Sequence, residues 1–152
     1  MNKIYLTNTD IQKYVSTIVS QLYKDNWRPD YIVGITRGGL IPSVMLSQFT
    51  GVKMHTLDVR LRDGDEKESN VSMADDAQLG KNILVVDDIN DTGATFNWIM
   101  DDWDVNNATN VRFAVLMDNL ASECNVSMSY IGTEIDKSED PSWIVFPWEE
   151  WW

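Results

Sequence analysis

The chain has 152 residues, 43% of them apolar, with neither Pro nor Gly in excess; this describes one folded domain over 1–152 and excludes a disordered or fibrous chain. Twenty-four acidic residues against twelve basic ones leave a net charge of −12, which excludes non-specific attraction to nucleic acid or to an anionic membrane surface. No apolar run approaches the ~20 residues of a membrane span, the opening Met1-Asn2-Lys3-Ile4-Tyr5 lacks a signal-peptide core, and the lone Cys124 reads as a small apolar filler, so a cytoplasmic protein is expected.

Residues 10–24 place Ile11, Tyr14, Val15, Ile18, Val19 and Leu22 on one helical face, with Thr7, Thr9 and Asp10 as candidate caps. Pro29 ends this helix by biasing Arg28 away from helical geometry. Tyr31-Ile32-Val33-Gly34-Ile35 then reads as a buried strand and runs into Thr36-Arg37-Gly38-Gly39-Leu40. Two glycines allow a charged ligand to approach the backbone, and Arg37 beside them points to phosphate or pyrophosphate rather than to an ordinary strand-to-helix turn. An apolar helix over 40–49 follows, closed by Gly51.

Residues 52–59 form a third strand candidate, with His55 as a packed or surface residue. Over 60–80 the periodicity dissolves into charged and small residues, and composition leaves two readings open: a solvated loop and a flexible lid.

The central stretch is Ile83-Leu84-Val85-Val86-Asp87-Asp88-Ile89-Asn90-Asp91-Thr92-Gly93-Ala94-Thr95. Four apolar residues without alternation predict a strand buried on both faces, and ligands bind where such strands end. The 92–95 turn can offer backbone N–H groups and two hydroxyls to an anion at a helix N-terminus. Asp87 and Asp88 repel phosphate and suit hydroxyl groups or a hydrated divalent cation, so the ligand carries both phosphate and polyol parts.

Phe96, Ile99, Met100 and Trp103 then repeat at helical spacing and pack that helix on the sheet. Residues 111–117 predict a fifth strand ending at Asp118-Asn119, and 125–132 an edge strand. The aromatic tail over 141–152 reads as core closure, as an oligomer interface, or as a stacking surface for a planar ligand. Strands alternating with helices predict an α/β fold with a mainly parallel, twisted sheet flanked by helices.

Val85-Val86-Asp87-Asp88-Ile89-Asn90-Asp91-Thr92-Gly93-Ala94-Thr95 resembles the phosphoribosyl pyrophosphate signature of the type I phosphoribosyltransferases. Gly34-Ile35-Thr36-Arg37-Gly38-Gly39 resembles the pyrophosphate loop of that family, and Trp143-Ile144-Val145-Phe146-Pro147-Trp148-Glu149 the base-binding segment of its xanthine-guanine (6-oxopurine) branch. The resemblance implies transfer of the phosphoribosyl group of phosphoribosyl pyrophosphate to a nucleobase, giving a nucleoside monophosphate and pyrophosphate. It further implies that Asp87 and Asp88 meet the ribose hydroxyls directly or through Mg²⁺, and that Asp91 manages the proton on the attacking nitrogen. Asp91, Thr92, Gly93, Ala94 and Thr95 would cradle the 5′-phosphate, Thr36, Arg37, Gly38 and Gly39 the pyrophosphate. Trp143 would stack on the base and the Ile144 backbone would read its edge. The 60–80 segment would be the hood that excludes water, and the protein a homo-oligomer, dimer or tetramer.

One position departs from the branch, which has a lysine for the 6-oxo group where this chain has Asp118. A carboxylate accepts hydrogen bonds only and favours an amino-bearing base, whereas Asn119, one residue on, could donate to an oxo group. Guanine, xanthine or hypoxanthine is the leading expectation. Two other functions compete: a non-catalytic regulator that senses phosphoribosyl pyrophosphate, and a generic nucleotide-binding protein, which leaves the spacing of Asp87, Asp88 and Asp91 unexplained.

Overall fold

Strands that are apolar on both faces need cover on both faces, and the chain supplies it with helices above and below one parallel sheet. The computed structural model describes residues 2–59, 68–105 and 109–150. In chain order these form β1 (Lys3–Tyr5), α1 (Asn8–Asp25), β2 (Tyr31–Ile35), α2 (Leu40–Thr50), β3 (Met54–Leu57), α3 (Glu68–Gln78), β4 (Ile83–Asn90), α4 (Ala94–Asp102), β5 (Val111–Asn119), β6 (Tyr130–Ile135) and β7 (Trp143–Val145).

The main sheet has five strands in the order β3-β2-β4-β5-β6, every neighbouring pair parallel. Its two faces are separated by the period-two alternation of each strand. Ile32, Leu84, Val86, Ala114 and Leu116 pack under α1 and α2 with Ile11, Val15, Ile18 and Leu46. Val33, Ile35, Ile83, Val85, Phe113 and Val115 pack under α3 and α4 with Met73, Ala77, Phe96 and Ile99. The chain leaves β2 outward to β3 and then returns to β4 on the other side of β2. The order therefore reverses between β2 and β4, and the crevice at a parallel sheet's carboxyl edge opens at such a reversal.

Local chemistry fixes the element ends. Thr7 and Asp10 form a reciprocal capping box: the Asp10 amide donates to Thr7 Oγ1 at 3.1 Å and the Thr7 amide to Asp10 Oδ2 at 2.8 Å. Asn26 closes α1 in the left-handed region, where a short polar side chain is tolerated.

Two expectations shift. Within the span read as structureless, residues 68–78 form α3; among its described side chains only Met73 and Ala77, four apart, are buried, too narrow a stripe to register as periodicity in a polar sequence. Residues 60–67 of the expected hood lie outside the described residues. The edge strand begins at Tyr130, five residues later than expected, and runs to Ile135. The remaining novelty is a separate two-stranded parallel sheet in which Lys3, Ile4 and Tyr5 pair with Trp143, Ile144 and Val145. His55 lies exposed on β3 with its ring edge-on to Tyr31, centroids 5.0 Å apart, in keeping with a packed or surface residue.

Thr7→Ala removes one half of the capping box and should lower the free energy of unfolding by about 1 kcal/mol. Urea denaturation would show this as a shifted midpoint at unchanged slope; an unshifted midpoint would show that the box contributes nothing.

Candidate active site

The reversal between β2 and β4 brings two loops together. β2 delivers Thr36, Arg37, Gly38 and Gly39; β4 delivers Asp87 and Asp88 within its last turns and then Asp91 and the 92–95 turn. Each loop is tied down by its own backbone. The Gly39 amide donates to the Ile35 carbonyl at 2.8 Å, the Leu40 amide to Arg37 at 3.1 Å, and the Thr36 amide reaches β3 at Leu57, 2.9 Å away. The Thr36–Arg37 peptide is cis.

The two glycines serve close approach. A Cβ on Gly38 would collide with the Asp88 carboxylate, and one on Gly39 with the Val86 and Ile35 carbonyls. The Arg37 loop therefore lies directly on the acidic pair, and Arg37 itself is exposed at the edge. Gly93 has φ +90°, a conformation that glycine alone adopts freely, and its Cα faces the Cys124 backbone, where a Cβ would sit 2.5 Å from the amide nitrogen. Cys124 is thus packed against the turn, consistent with a filler, and burial pushes its thiol up.

The 92–95 turn is braced from the segment after β5. The Glu123 amide donates to the Thr92 carbonyl at 2.9 Å, Asn97 Nδ2 to the Glu123 carbonyl at 3.0 Å, and the Asn125 amide to Asn97 Oδ1 at 2.7 Å. Around it Asp91, Thr92, Gly93, Ala94 and Thr95 line a cavity of about 80 Å³ at the start of α4. Larger hollows lie elsewhere, one of about 220 Å³ beside Trp27 and Val52 and one of about 330 Å³ beside Tyr31 and Asp76. The first sits near the amino ends of β2 and β3, away from the loops, so size does not locate the chemistry here.

Asp87 and Asp88 are partly buried neighbours. Asp87 Oδ1 accepts from the Asp88 amide at 2.9 Å and Asp88 Oδ1 from the Ile89 amide at 2.8 Å. Burial first, and the adjacent Asp88 charge second, hold the Asp87 carboxyl well above the usual carboxylate range; burial raises Asp88 as well. Glu149, on the tail, is also raised, first by loss of water and then by the charge of Asp88, which places the tail within electrostatic reach of the pair.

The tail meets the site through residues that no motif signalled. Lys137 Nζ is 3.2 Å from Asp91 Oδ1 and 5.1 Å from the centre of the Trp143 ring. Its amide donates to Asn119 Oδ1 at 3.0 Å, while Asn119 Nδ2 donates to the Asp91 carbonyl at 2.9 Å. Asn119, the alternative base donor of the sequence reading, is buried, its amide held between Lys137 and Asp91. Asp118 Oδ1 accepts from Asn90 Nδ2 at 2.9 Å, and that same nitrogen lies 3.1 Å from Ser122 Oγ. Lysine in a polar loop has no local signature; only the fold brings Lys137 to Asp91.

In β7 the Trp143 amide donates to the Asn2 carbonyl at 2.8 Å and the Val145 carbonyl accepts from the Leu6 amide at 2.9 Å. Successive peptide groups of a strand point to opposite edges, so the Ile144 N–H and C=O turn away from β1. The Ile144 side chain is buried, and Trp143 is 47% exposed.

Among the described residues no group of three or more His, Cys, Asp or Glu side chains is placed to hold a metal ion. Two adjacent carboxylates that burial pushes toward protonation nonetheless fit a divalent cation that draws its other ligands from water and substrate phosphates. Among the described residues no helix is long and apolar enough to cross a membrane.

The family described as "Phosphoribosyl transferase domain" matches residues 1–152. A xanthine-guanine phosphoribosyltransferase of Cereibacter sphaeroides is 29% identical over 128 residues, 81% of this chain and 70% of that protein. The crystal structure of a purine phosphoribosyltransferase from Pyrococcus horikoshii superposes with a TM-score of 0.70 at 27% identity, covering 99% of this chain and 96% of that one. A Helicobacter pylori xanthine-guanine-hypoxanthine phosphoribosyltransferase, at 17% identity, shares the fold with a TM-score of 0.69 over 97% of this chain and 94% of its own.

The raised Asp87 carboxyl has a stability consequence whose sign is definite. The folded chain binds this proton more tightly than the unfolded chain, so stability is highest below the unfolded value of ~4 and falls as pH rises through the folded value. Asp87→Asn removes that loss. At neutral pH, without ligand, it should be more stable than wild type, the advantage vanishing toward pH ~4. Melting temperatures of both proteins across that range check it, and a less stable variant at pH 7 would refute it.

Proposed function

For a chain that belongs to the phosphoribosyl transferase domain family, and is a phosphoribosyltransferase, we propose that the acceptor is a purine, a 6-oxopurine such as guanine, xanthine or hypoxanthine, and the donor phosphoribosyl pyrophosphate. The observation that carries this reading is the convergence, at the β2/β4 reversal, of the Arg37 loop, the Asp87–Asp88 pair, the 92–95 turn and the tail linked by Lys137. Phosphate, polyol and planar-ring subsites thus lie side by side. The purine names of the Cereibacter and Pyrococcus proteins point the same way.

In the reaction a ring nitrogen of the base bonds to C1 of the ribose as the C–O bond to pyrophosphate breaks, and the nitrogen gives up its proton. Positive charge builds on the ribose, so catalysis consists of holding three groups in line with charges fixed around them. Arg37 and the close backbone of Gly38 and Gly39, with Thr36, hold the pyrophosphate. Thr92, Gly93, Ala94 and Thr95, with the Asp91 backbone, hold the 5′-phosphate at the start of α4. Asp87 and Asp88 hold the ribose hydroxyls, directly or through Mg²⁺, which these two carboxylates would bind and which would offset charge on the leaving pyrophosphate. Asp91 accepts the proton from the attacking nitrogen. Trp143 stacks on the base, and the Ile144 backbone, turned away from β1, reads its edge. The exposed Ile41, Val44 and Phe49 on α2 support association of copies of the chain.

The test is pyrophosphate release from phosphoribosyl pyrophosphate with Mg²⁺ and each common nucleobase in turn. Turnover with a 6-oxopurine is expected, and silence with every base would overturn the reading. The double variant Asp87→Asn with Asp88→Asn should keep its fold by circular dichroism and lose roughly a hundred- to a thousandfold in kcat/KM. Full activity in that variant would remove both carboxylates from the mechanism.

A further inference from the structure

We propose that Lys137 determines base specificity by donating a hydrogen bond to an oxo group on the edge of a ring stacked on Trp143; this rests on the purine reading above and names the residue that enforces it. The Lys137 side chain is 17% exposed, whereas Trp143 beside it is 47% exposed. A lysine ordinarily keeps its ammonium in water. This one has exchanged most of its water for one carboxylate, Asp91 at 3.2 Å, and one aromatic face at 5.1 Å.

Its backbone is equally fixed. Asn119, 5% exposed at the end of β5, accepts from the Lys137 amide with Oδ1 and donates to the Asp91 carbonyl with Nδ2. One buried amide therefore sets the positions of both the ammonium and the carboxylate. The loop that follows is held by Asp136, which accepts from the Ser138 amide at 3.0 Å, and by Asp140, which accepts from the Ser142 amide at 3.1 Å. Lys137 thus stands on a rigid base beside an open aromatic platform.

An ammonium carries three donors and no acceptor. With one donor directed at Asp91, the others remain for whatever lies on Trp143. A planar ring laid there takes over the face the ammonium now covers, and the flexible four-carbon stem lets the ammonium move to the edge of that ring. It complements an oxo group, while an exocyclic amino group would present a donor to a donor and leave a hydrogen bond unmade. Asp118, the acceptor that would favour an amino group, has Oδ1 engaged by Asn90. The selecting charge has therefore come from the loop after β6 instead of from the end of β5.

The experiment compares wild type, Lys137→Met and Lys137→Arg with hypoxanthine, guanine and adenine, by initial rates and, separately, by calorimetric titration of each base. Lys137→Met should raise KM for hypoxanthine and guanine about ten- to a hundredfold, with KM for phosphoribosyl pyrophosphate within about twofold of wild type. The hypoxanthine-to-adenine ratio of kcat/KM should fall accordingly, and Lys137→Arg should recover part of it. An equal change for all three bases would make Lys137 a mere support for Trp143, and no change would remove it from the site; either result overturns the assignment. Absence of turnover in wild type would defeat the transfer reading alone. Lys137 would then stand or fall on whether calorimetry shows wild type, but not Lys137→Met, preferring hypoxanthine to adenine.

Discussion

Two carboxylates side by side at the end of a strand buried on both faces are the constraint around which this chain is built. Asp87 and Asp88 have lost much of their water, and the Asp88 charge bears on Asp87, so both carboxyls hold protons more strongly than free aspartates do. A chain selected for stability alone would not place them there. The rigidity of the strand beneath them keeps them in place: Ile83, Leu84, Val85 and Val86 are all fully buried and paired on both edges. A site that must hold charges before its ligand arrives carries the electrostatic cost in its empty state, and a large apolar base carries that cost here.

The rest of the site follows from how closely backbone can come to that pair. Gly38 lies where any side chain would displace Asp88, and Gly39 where any side chain would part β2 from β4. Gly93 makes a similar approach to Cys124 on the far side of the 92–95 turn. Glycines at these three points draw backbone N–H groups close around the acids, so donors and acceptors face one crevice.

Much of this was legible in the residues. Unbroken apolar runs marked β2, β4 and β5, because burial on both faces leaves no polar position to confuse the pattern, and the acids, glycines and threonines at their ends marked the site. What the residues hid has physical reasons. Among its described side chains α3 turns only Met73 and Ala77 into the core, so its sequence looks like solvent-exposed coil. β1 and β7 are three residues each and become strands only because they meet. The residues do not show Asn90 reaching across from β4 to Asp118, or both amide atoms of Asn119 engaged by Lys137 and Asp91. Lys137 is invisible in one dimension, since its partners Asp91 and Trp143 come from different elements and meet it only in the folded chain.

The small β1–β7 sheet stands apart from the main one. The five-stranded sheet carries the Arg37 loop, the acidic pair and the 92–95 turn. The aromatic platform hangs instead on a second scaffold, joined to the first through side-chain packing by Ile144 and Phe146 and through the Lys137–Asp91 contact. Among the described residues neither of its three-residue strands has another strand partner, so Lys3–Tyr5 at one end of the chain fix where Trp143 stands at the other.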